Sequence, residues 1–547
     1  MLDRRRLLTS VAALAGAAAL AGHRAAASNM NITLTSHFQV TRFIDADTVE
    51  LIDGNARQVL KRGEVFDGCT LVEIVAGDFV VMEDFETVTG DMMIVDTAGV
   101  RYRLGKTAES TAIDGQPALP GQTQAGDRLG ADVLARPGDP DYATVAAVLP
   151  PIRHVSGDIY SFVGTPDGMI GFTREGGSPR FDPAVMAPSI DTARQAGQVL
   201  GGLLGGYLPC LRFVYPDSDG AWTELLAFAP LPEAGASPDQ PVSYRVARVE
   251  GGRLAWAKHV DSRQPSSQSG DATGFYSGLA AVKAGWDQRL APGMKLDIAE
   301  TRVADMARHS LIRTMIAGAE SAGPEVAEAM GNWGLGAMPA LAAEEAAPSA
   351  TCLGMPVDPA GQIAGDLFAG YGHDLIAADR IEEALLLLYG AMAHLCTRGQ
   401  GMAVATRAPF GDEAAPYSPV SQAAIALLVR WLVVFEDPEA KTLWLGKGMP
   451  EAWFADTRLN FIDDAPTRWG RVSFATDSRI DKEHRIAAKV ILPDGGTGAL
   501  TKLRLRTGRP IRGVTVGDRS WKNFEPETGT ITLPAGMGGT ILIEARY

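Results

Sequence analysis

Two hydrophobic periods divide this chain of 547 residues. Over 31–103, apolar residues alternate with polar ones or run together in short blocks: ITLTSHFQVTRF, DTVELID, TLVEIVAGDFVVMED and MMIVDTAGVRYRL. The segments are broken by Asp-Gly and Gly turns, and a period of two bounded by turn residues predicts β-strands. The same period returns over 146–260. There GDIYSFVGTPDGMIGFT (157–173) reads as a strand pair about Pro-Asp-Gly, and YLPCLRFVYPDSDGAWTELLAFAP (207–230) as two strands about Asp-Ser-Asp-Gly. Between them, 190–204 predicts a short helix. From about 280 the period lengthens to 3.6. LDIAETRVADMARHSLIRTMIAGAE (296–320) sets Leu296, Ala299, Val303, Met306 and Ala307 on one helical face, and GPEVAEAM and MPALAAEEAA predict shorter helices. SPVSQAAIALLVRWLVVFED (418–437) predicts a buried helix with Ser418 as N-cap and Pro419 in its first turn, and Trp444 and Trp453 fall in a short helical segment. From Trp469 six short strands at regular spacing predict an antiparallel sandwich.

The stretch 364–399 concentrates the most polar chemistry against apolar surface. Leu367, Phe368, Tyr371 and Leu375 form one helical stripe and Ile381, Ala384, Leu385, Leu388 and Met392 a second, so two helices pack back to back. Asp379 with Glu382 has the spacing of a capping box at the start of the second helix. The expected fold class is α+β and multidomain: N-terminal β-rich domains, central α/α helical hairpins and a C-terminal antiparallel β-sandwich. The expected divisions are a leader (1–27), a β region (28–107), a loop or linker rich in Gly, Pro and Asp (108–145), a β-rich domain (146–264), helical hairpins (275–460) and the sandwich (465–547), with the polar tract PSSQSGDATG (265–274) as linker and an Ala-rich piece at 336–350.

Composition changes this picture at the termini and at the surface. Arg4-Arg5-Arg6, the Ala-rich run after it and Ala25-Ala26-Ala27 have the form of a cleavable leader, similar to a twin-arginine export signal, with a short membrane anchor as the alternative. Periplasmic or secreted placement follows. The net charge is −15 with no basic cluster in the body, which argues against nucleic acid or an anionic membrane surface as partner. Cys69, Cys210, Cys352 and Cys396 are far apart and lack metal-ligand spacing, so buried free thiols are expected and no metal or cofactor is.

The order of β structure, helical hairpins and β-sandwich, together with APTRWGRVSF (465–474) and GRPIRGVTVGDRSWKNFEPETGTITLP (508–534), resembles the six-hairpin glycosidases. That resemblance implies an α/α toroid beside β domains and a carbohydrate partner. The helical stretch has room for about six to eight helices, fewer than a full ring of hairpins, so it implies a shortened toroid.

The candidate chemistry is centred on the hairpin. Glycoside hydrolysis needs two carboxylates, one kept protonated. Asp366 is the candidate acid, with Asp374 or Glu413 as the second group. The alternative is that Asp366 caps its helix or faces water and that Asp374 makes a surface pair. Asp366 and His373, seven apart, share one helix face, and His394 and Arg398, four apart, share another. A polysaccharide lyase would use His373 or His394 with Tyr371, and Arg398 to hold a uronate. Trp222 and Tyr417 are candidate sugar-stacking residues, with core packing as the alternative. No phosphate loop, nucleophile elbow or H-E-x-x-H is present. Hydrolase, non-catalytic glycan-binding protein and lyase remain open at this point.

Overall fold

The computed structural model describes residues 38–110, 126–166, 168–217, 220–231, 241–261, 271–318, 323–338, 348–411 and 413–547. The leader, Asp167, Ser218, Asp219, Asp412, and most of the Ser/Gly tract and of the Ala-rich piece lie outside them.

The first β unit is a five-stranded antiparallel meander, Val65–Phe66, Cys69–Val75, Phe79–Asp84, Met92–Asp96 and Gly99–Leu104. Its apolar blocks are continuous because both faces are buried. Val80, Met82, Met93 and Val95 meet a three-stranded sheet, Gln39–Phe43, Thr48–Asp53 and Ala56–Lys61, through Val40, Val49 and Leu51. The alternate residues, Phe79, Val81, Met92 and Ile94, enter the main core.

The second unit is a six-stranded antiparallel sheet ordered Glu109–Ser110, Leu200–Leu203, Cys210–Pro216, Trp222–Phe228, Ser243–Glu250 and Arg253–Asp261. Leu211, Phe213, Leu225, Tyr244 and Val246 on one face pack with the hairpin Ser161–Thr165/Gly168–Phe172 and with α3. The other face carries Arg212, Glu224 and Arg245, a pattern that on its own reads as a wetted side. Here it is covered. Arg245 donates to both oxygens of Glu83 at 2.8 Å, and Arg212 Nε donates to Glu224 at 2.6 Å, all four side chains being buried. Burial opposes the charge on Glu224, but Arg212, Lys106 and Arg245 outweigh it and hold the carboxyl below its ordinary range.

Nine helices lie among the described residues: α1 (Arg128–Leu134), α2 (Tyr142–Ala146), α3 (Ser189–Gln195), α4 (Ala272–Leu290), α5 (Thr301–Ile316), α6 (Pro324–Asn332), α7 (Phe368–Ala377), α8 (Ile381–Gly390) and α9 (Pro419–Val433). Helix α9, largely apolar, is buried along nearly its whole length and packs on α5, α6 and α7. As expected, Ser418 caps it.

Several local expectations are corrected. The end of the expected linker holds α1 and α2, N-capped by Asp127 and Asp141, and both pack on α8. Helix α5 starts at Thr301 because Lys295–Asp297 pairs as a strand with Leu459–Thr467, Leu296 opposite Ile462. Helix α3 ends at Gln195, and Leu200–Leu203 is a strand. Trp444 lies on the strand Thr442–Leu445, parallel to Leu500–Arg504, because the C-terminal β structure recruits segments from before Trp469. The hairpin α7–α8 forms, but Asp379 takes a positive φ of 61° and pairs with Arg504, so Arg380 occupies the N-cap position. Glu382 pairs with Arg506 at 3.0 Å instead of completing a capping box. All four cysteines are free, and all but Cys352 are buried.

Replacing Arg245 by Met strips Glu83 of its partner inside the core. The expected loss is about 3–5 kcal/mol in denaturant unfolding. A change under about 1 kcal/mol would show that the carboxylates find water.

Candidate active site

Helix α5 is amphipathic, and Arg302, Asp305 and Arg308 recur along its polar side. Its last turns are anchored by buried groups. The Arg313 guanidinium donates to Phe162 O at 2.5 Å, to Ser161 Oγ at 2.7 Å and, through Nε, to His309 Nε2 at 2.9 Å. Because His309 Nε2 accepts, the proton resides on Nδ1, which donates to the Tyr207 carbonyl at 3.0 Å. Burial, then the neighbouring Arg313, pushes His309 down to about 3, so the ring is neutral. Tyr207 is thus positioned by a chain of buried hydrogen bonds that starts at Arg313.

A cavity of about 300 Å³ opens beside Tyr207, lined also by Asp287 and Leu290 of α4, Lys295, Leu296, Arg308 and Trp333. One carboxylate of the cavity, Asp287, bonds to the tyrosine; a second, Asp305, lies within electrostatic reach of the phenol without lining the cavity. The Tyr207 hydroxyl donates to Asp287 Oδ1 at 2.5 Å, and Lys283 pairs with the other oxygen. Burial and then this bond raise the phenol well above its usual range, so it remains a donor. Asp305 belongs to α5. Burial pushes its carboxyl up to about 6; Arg308 at 3.2 Å opposes the shift and Asp297 adds to it. Its Oδ2 lies so near Gly206 that an added Cβ would stand 2.4 Å away, and Gly206 also has a φ of 73°. Only glycine fits there. Arg308 donates on to Leu296 O at 2.9 Å and lies over the Tyr207 ring at 5.2 Å. The region around Tyr207 therefore holds a buried carboxyl raised to about 6 and, on the neighbouring helix, a partly exposed carboxylate held by a phenol and an ammonium. Such a pair can deliver a proton on one side and a nucleophile or base on the other.

The residues singled out from sequence lie elsewhere and are not gathered at one place. Asp366 is exposed in a 3-10 turn before α7. His373 packs edge-on to Trp431, centroids 5.1 Å apart, and lies 3.7 Å from Asp374, which is half-exposed. Tyr371 is half-buried on α7. His394 is fully buried with Nε2 on Val145 O at 2.9 Å, and burial lowers it to about 3. Arg398 donates to Ala146 O at 3.1 Å. Glu413 is exposed on a two-residue strand. Trp222 lies in the main core, and Tyr417 is partly buried, edge-on to Phe162 at 5.0 Å. Sequence reading passed over Asp287 and Asp305 because the polar side of an amphipathic helix looks solvated. The available signal was the i, i+3 recurrence of Arg302, Asp305 and Arg308. Among the described residues no group of three His, Cys, Asp or Glu is placed to hold a metal, and no helix is long and apolar enough to cross a membrane.

The sequence matches no known family profile. No curated protein matches it. Among solved structures, similarity is found to a glycoside hydrolase at 8% identity, over 36% of this chain and 34% of that one, with a TM-score of 0.22. A GH127 β-L-arabinofuranosidase from Geobacillus stearothermophilus T6 aligns at 9% identity over 46% and 42%, with a TM-score of 0.22. A second GH127 β-arabinofuranosidase aligns at 11% over 50% and 49%, with a TM-score of 0.21. The chain spans less than half the length of each of these neighbours. Overlap this small carries no argument about fold or activity, and the site stands on its own geometry.

A carboxyl-carbon NMR titration should find Asp305 at about 6, and Arg308→Met should raise it further by removing the cation that opposes the shift. A midpoint in the ordinary range near 3.8 would remove Asp305 as an acid at neutral pH.

Proposed function

We propose that this chain is an exported, carbohydrate-active hydrolase that cleaves glycosidic bonds in the cavity between α4 and α5. Asp305 donates a proton to the departing oxygen, and Asp287 serves as the second carboxylate, either activating water or attacking the anomeric carbon. Tyr207 and Lys283 hold Asp287 in position. The observation that carries the reading is the unlike environment of the two carboxyls around Tyr207: one buried and raised, the other half-exposed and hydrogen-bonded. The helical hairpins are then the remnant of a shortened toroid and the Arg-rich N-terminus an export signal; both belong to this proposal. Its substrate is a neutral or weakly charged glycan, since Arg308 and Lys283 each already face a carboxylate.

The test is release of new reducing ends from a panel of plant and bacterial polysaccharides, with ultraviolet absorbance followed in parallel. Wild type should release reducing ends without absorbance. Asp305→Asn should lower kcat at least about a hundredfold, the usual scale for losing a general acid. The rate should fall as pH rises through about 6, because the proton that Asp305 donates is then lost. Full activity in Asp305→Asn would overturn the assignment, and an absorbing, unsaturated product would replace the hydrolase by a lyase.

A further inference from the structure

The start of α5 carries a second set of polar groups that the cleavage chemistry does not use. Glu300 immediately precedes the helix. Its Oε2 accepts from the Tyr389 hydroxyl at 2.6 Å and from Trp453 Nε1 at 3.0 Å. Both donors are buried side chains from sequence-distant elements, and both reach the same oxygen. The carboxylate is therefore fixed in place while Oε1 is left to accept from something else. Two residues on, Arg302 has a side chain 44% exposed; it pairs with Glu109 and lies over the Tyr142 ring at 4.1 Å. The Tyr142 hydroxyl donates to the other oxygen of Glu109 at 3.3 Å. A rigid acceptor and an exposed planar donor thus stand beside one another over aromatic surface.

The charges decide what fits. Arg302 faces both Glu109 and Glu300, so the set bears one negative charge beyond neutrality and repels a uronate or a phosphate. An oriented carboxylate oxygen and guanidinium edge instead match vicinal hydroxyls, which both donate and accept. Position decides the rest. Arg302 precedes Asp305 by three residues, on the same side of the helix and about 4.5 Å along its axis. Arg308, which lines the Tyr207 cavity, follows Arg302 by six residues, about 9 Å along the axis, so a ligand held at Glu300 and Arg302 lies on the same helix within two turns of that cavity.

We propose that Glu300 and Arg302 form a binding subsite for a neutral sugar unit adjoining the one cleaved at Asp305, so that the substrate is an oligosaccharide or polymer and not a single glycoside. This rests on the hydrolase reading above. In that reading Glu300 binds a neighbouring unit and takes no part in bond cleavage.

The experiment uses the full chain and neutral xylo-, cello- and manno-oligosaccharides of increasing length. The ratio of kcat/KM for the tetrasaccharide to that for the disaccharide should be at least about tenfold in wild type, the worth of one or two good hydrogen bonds. It should collapse towards one in Glu300→Gln, which turns the free acceptor into a donor, and in Arg302→Met. Unfolding midpoints serve as the control for folding. A ratio near one in wild type, or one kept in both variants, overturns the subsite. If no sugar is turned over, the hydrolase reading fails separately, and calorimetric titration with the same tetrasaccharides still decides. Binding weakened about tenfold by Glu300→Gln but not by Asp305→Asn supports the subsite; equal binding in wild type and Glu300→Gln, or none in wild type, overturns it.

Discussion

A guanidinium does not give up its proton, so each arginine taken out of water must be met by oxygen or by a basic nitrogen. Among the described residues five arginines are buried almost completely, and their contacts tie the helices to the sheets. Arg313 ties α5 to the Ser161–Thr165 strand through Phe162 O and Ser161 Oγ, and through His309 it reaches the Tyr207 carbonyl. Arg430 joins the end of α9 to Asn332 O of α6 and to Pro466 O of the C-terminal sheet, at 3.0 and 2.7 Å. Arg407 reaches Pro150 O and His394 O. Arg245 joins the two N-terminal sheets through Glu83, and Arg212 pairs with Glu224 within the second. Burial lowers Arg313 and Arg430 to about 10, which still leaves both charged at neutral pH. Each contact costs desolvation and offsets it only in one geometry, so the helices have little freedom to slide against the sheets.

The electrostatics of the cavity follow from that immobility. Asp305 is raised because α5 is held with its polar side against Gly206, in the turn before Cys210–Pro216, where water is scarce and Arg308 opposes the shift. Asp287, on the neighbouring helix, remains in contact with water and with two donors. The same helix presents Arg302 and Glu300 further towards its start. One rigid helix thus sets Asp305 and the Glu300–Arg302 pair at fixed separation, the arrangement that the proposed reaction on a chain of sugar units requires.

Much of the secondary structure is legible in the periods of the sequence. The alternation in 65–104, the hairpin α7–α8 and the capped, largely apolar α9 are local patterns, and local patterns survive folding. What fails is any inference that needs to know what lies above a polar face. Arg212, Glu224 and Arg245 alternate as a wetted strand face would, yet a second sheet and α4 cover them. The ionisable groups of the hairpin drew attention because they stood on apolar helices, but Asp366 faces solvent and His373 packs against Trp431. Asp305 and Asp287 looked like ordinary solvated residues of amphipathic helices. Their character comes from Tyr207, separated from Asp287 by 80 positions, and from a glycine that admits a carboxylate against the backbone. Contacts of that sequence separation leave no periodic trace.

The most direct measurement is a crystal structure of the Asp305→Asn protein soaked with an oligosaccharide that wild type degrades. The account predicts a sugar in the Tyr207 cavity, its glycosidic oxygen within hydrogen-bond reach, about 3 Å, of the side chain at position 305 and its anomeric carbon facing Asp287. A sugar bound instead in the open groove beside Arg194 and Asp182, with the Tyr207 cavity empty, would contradict it.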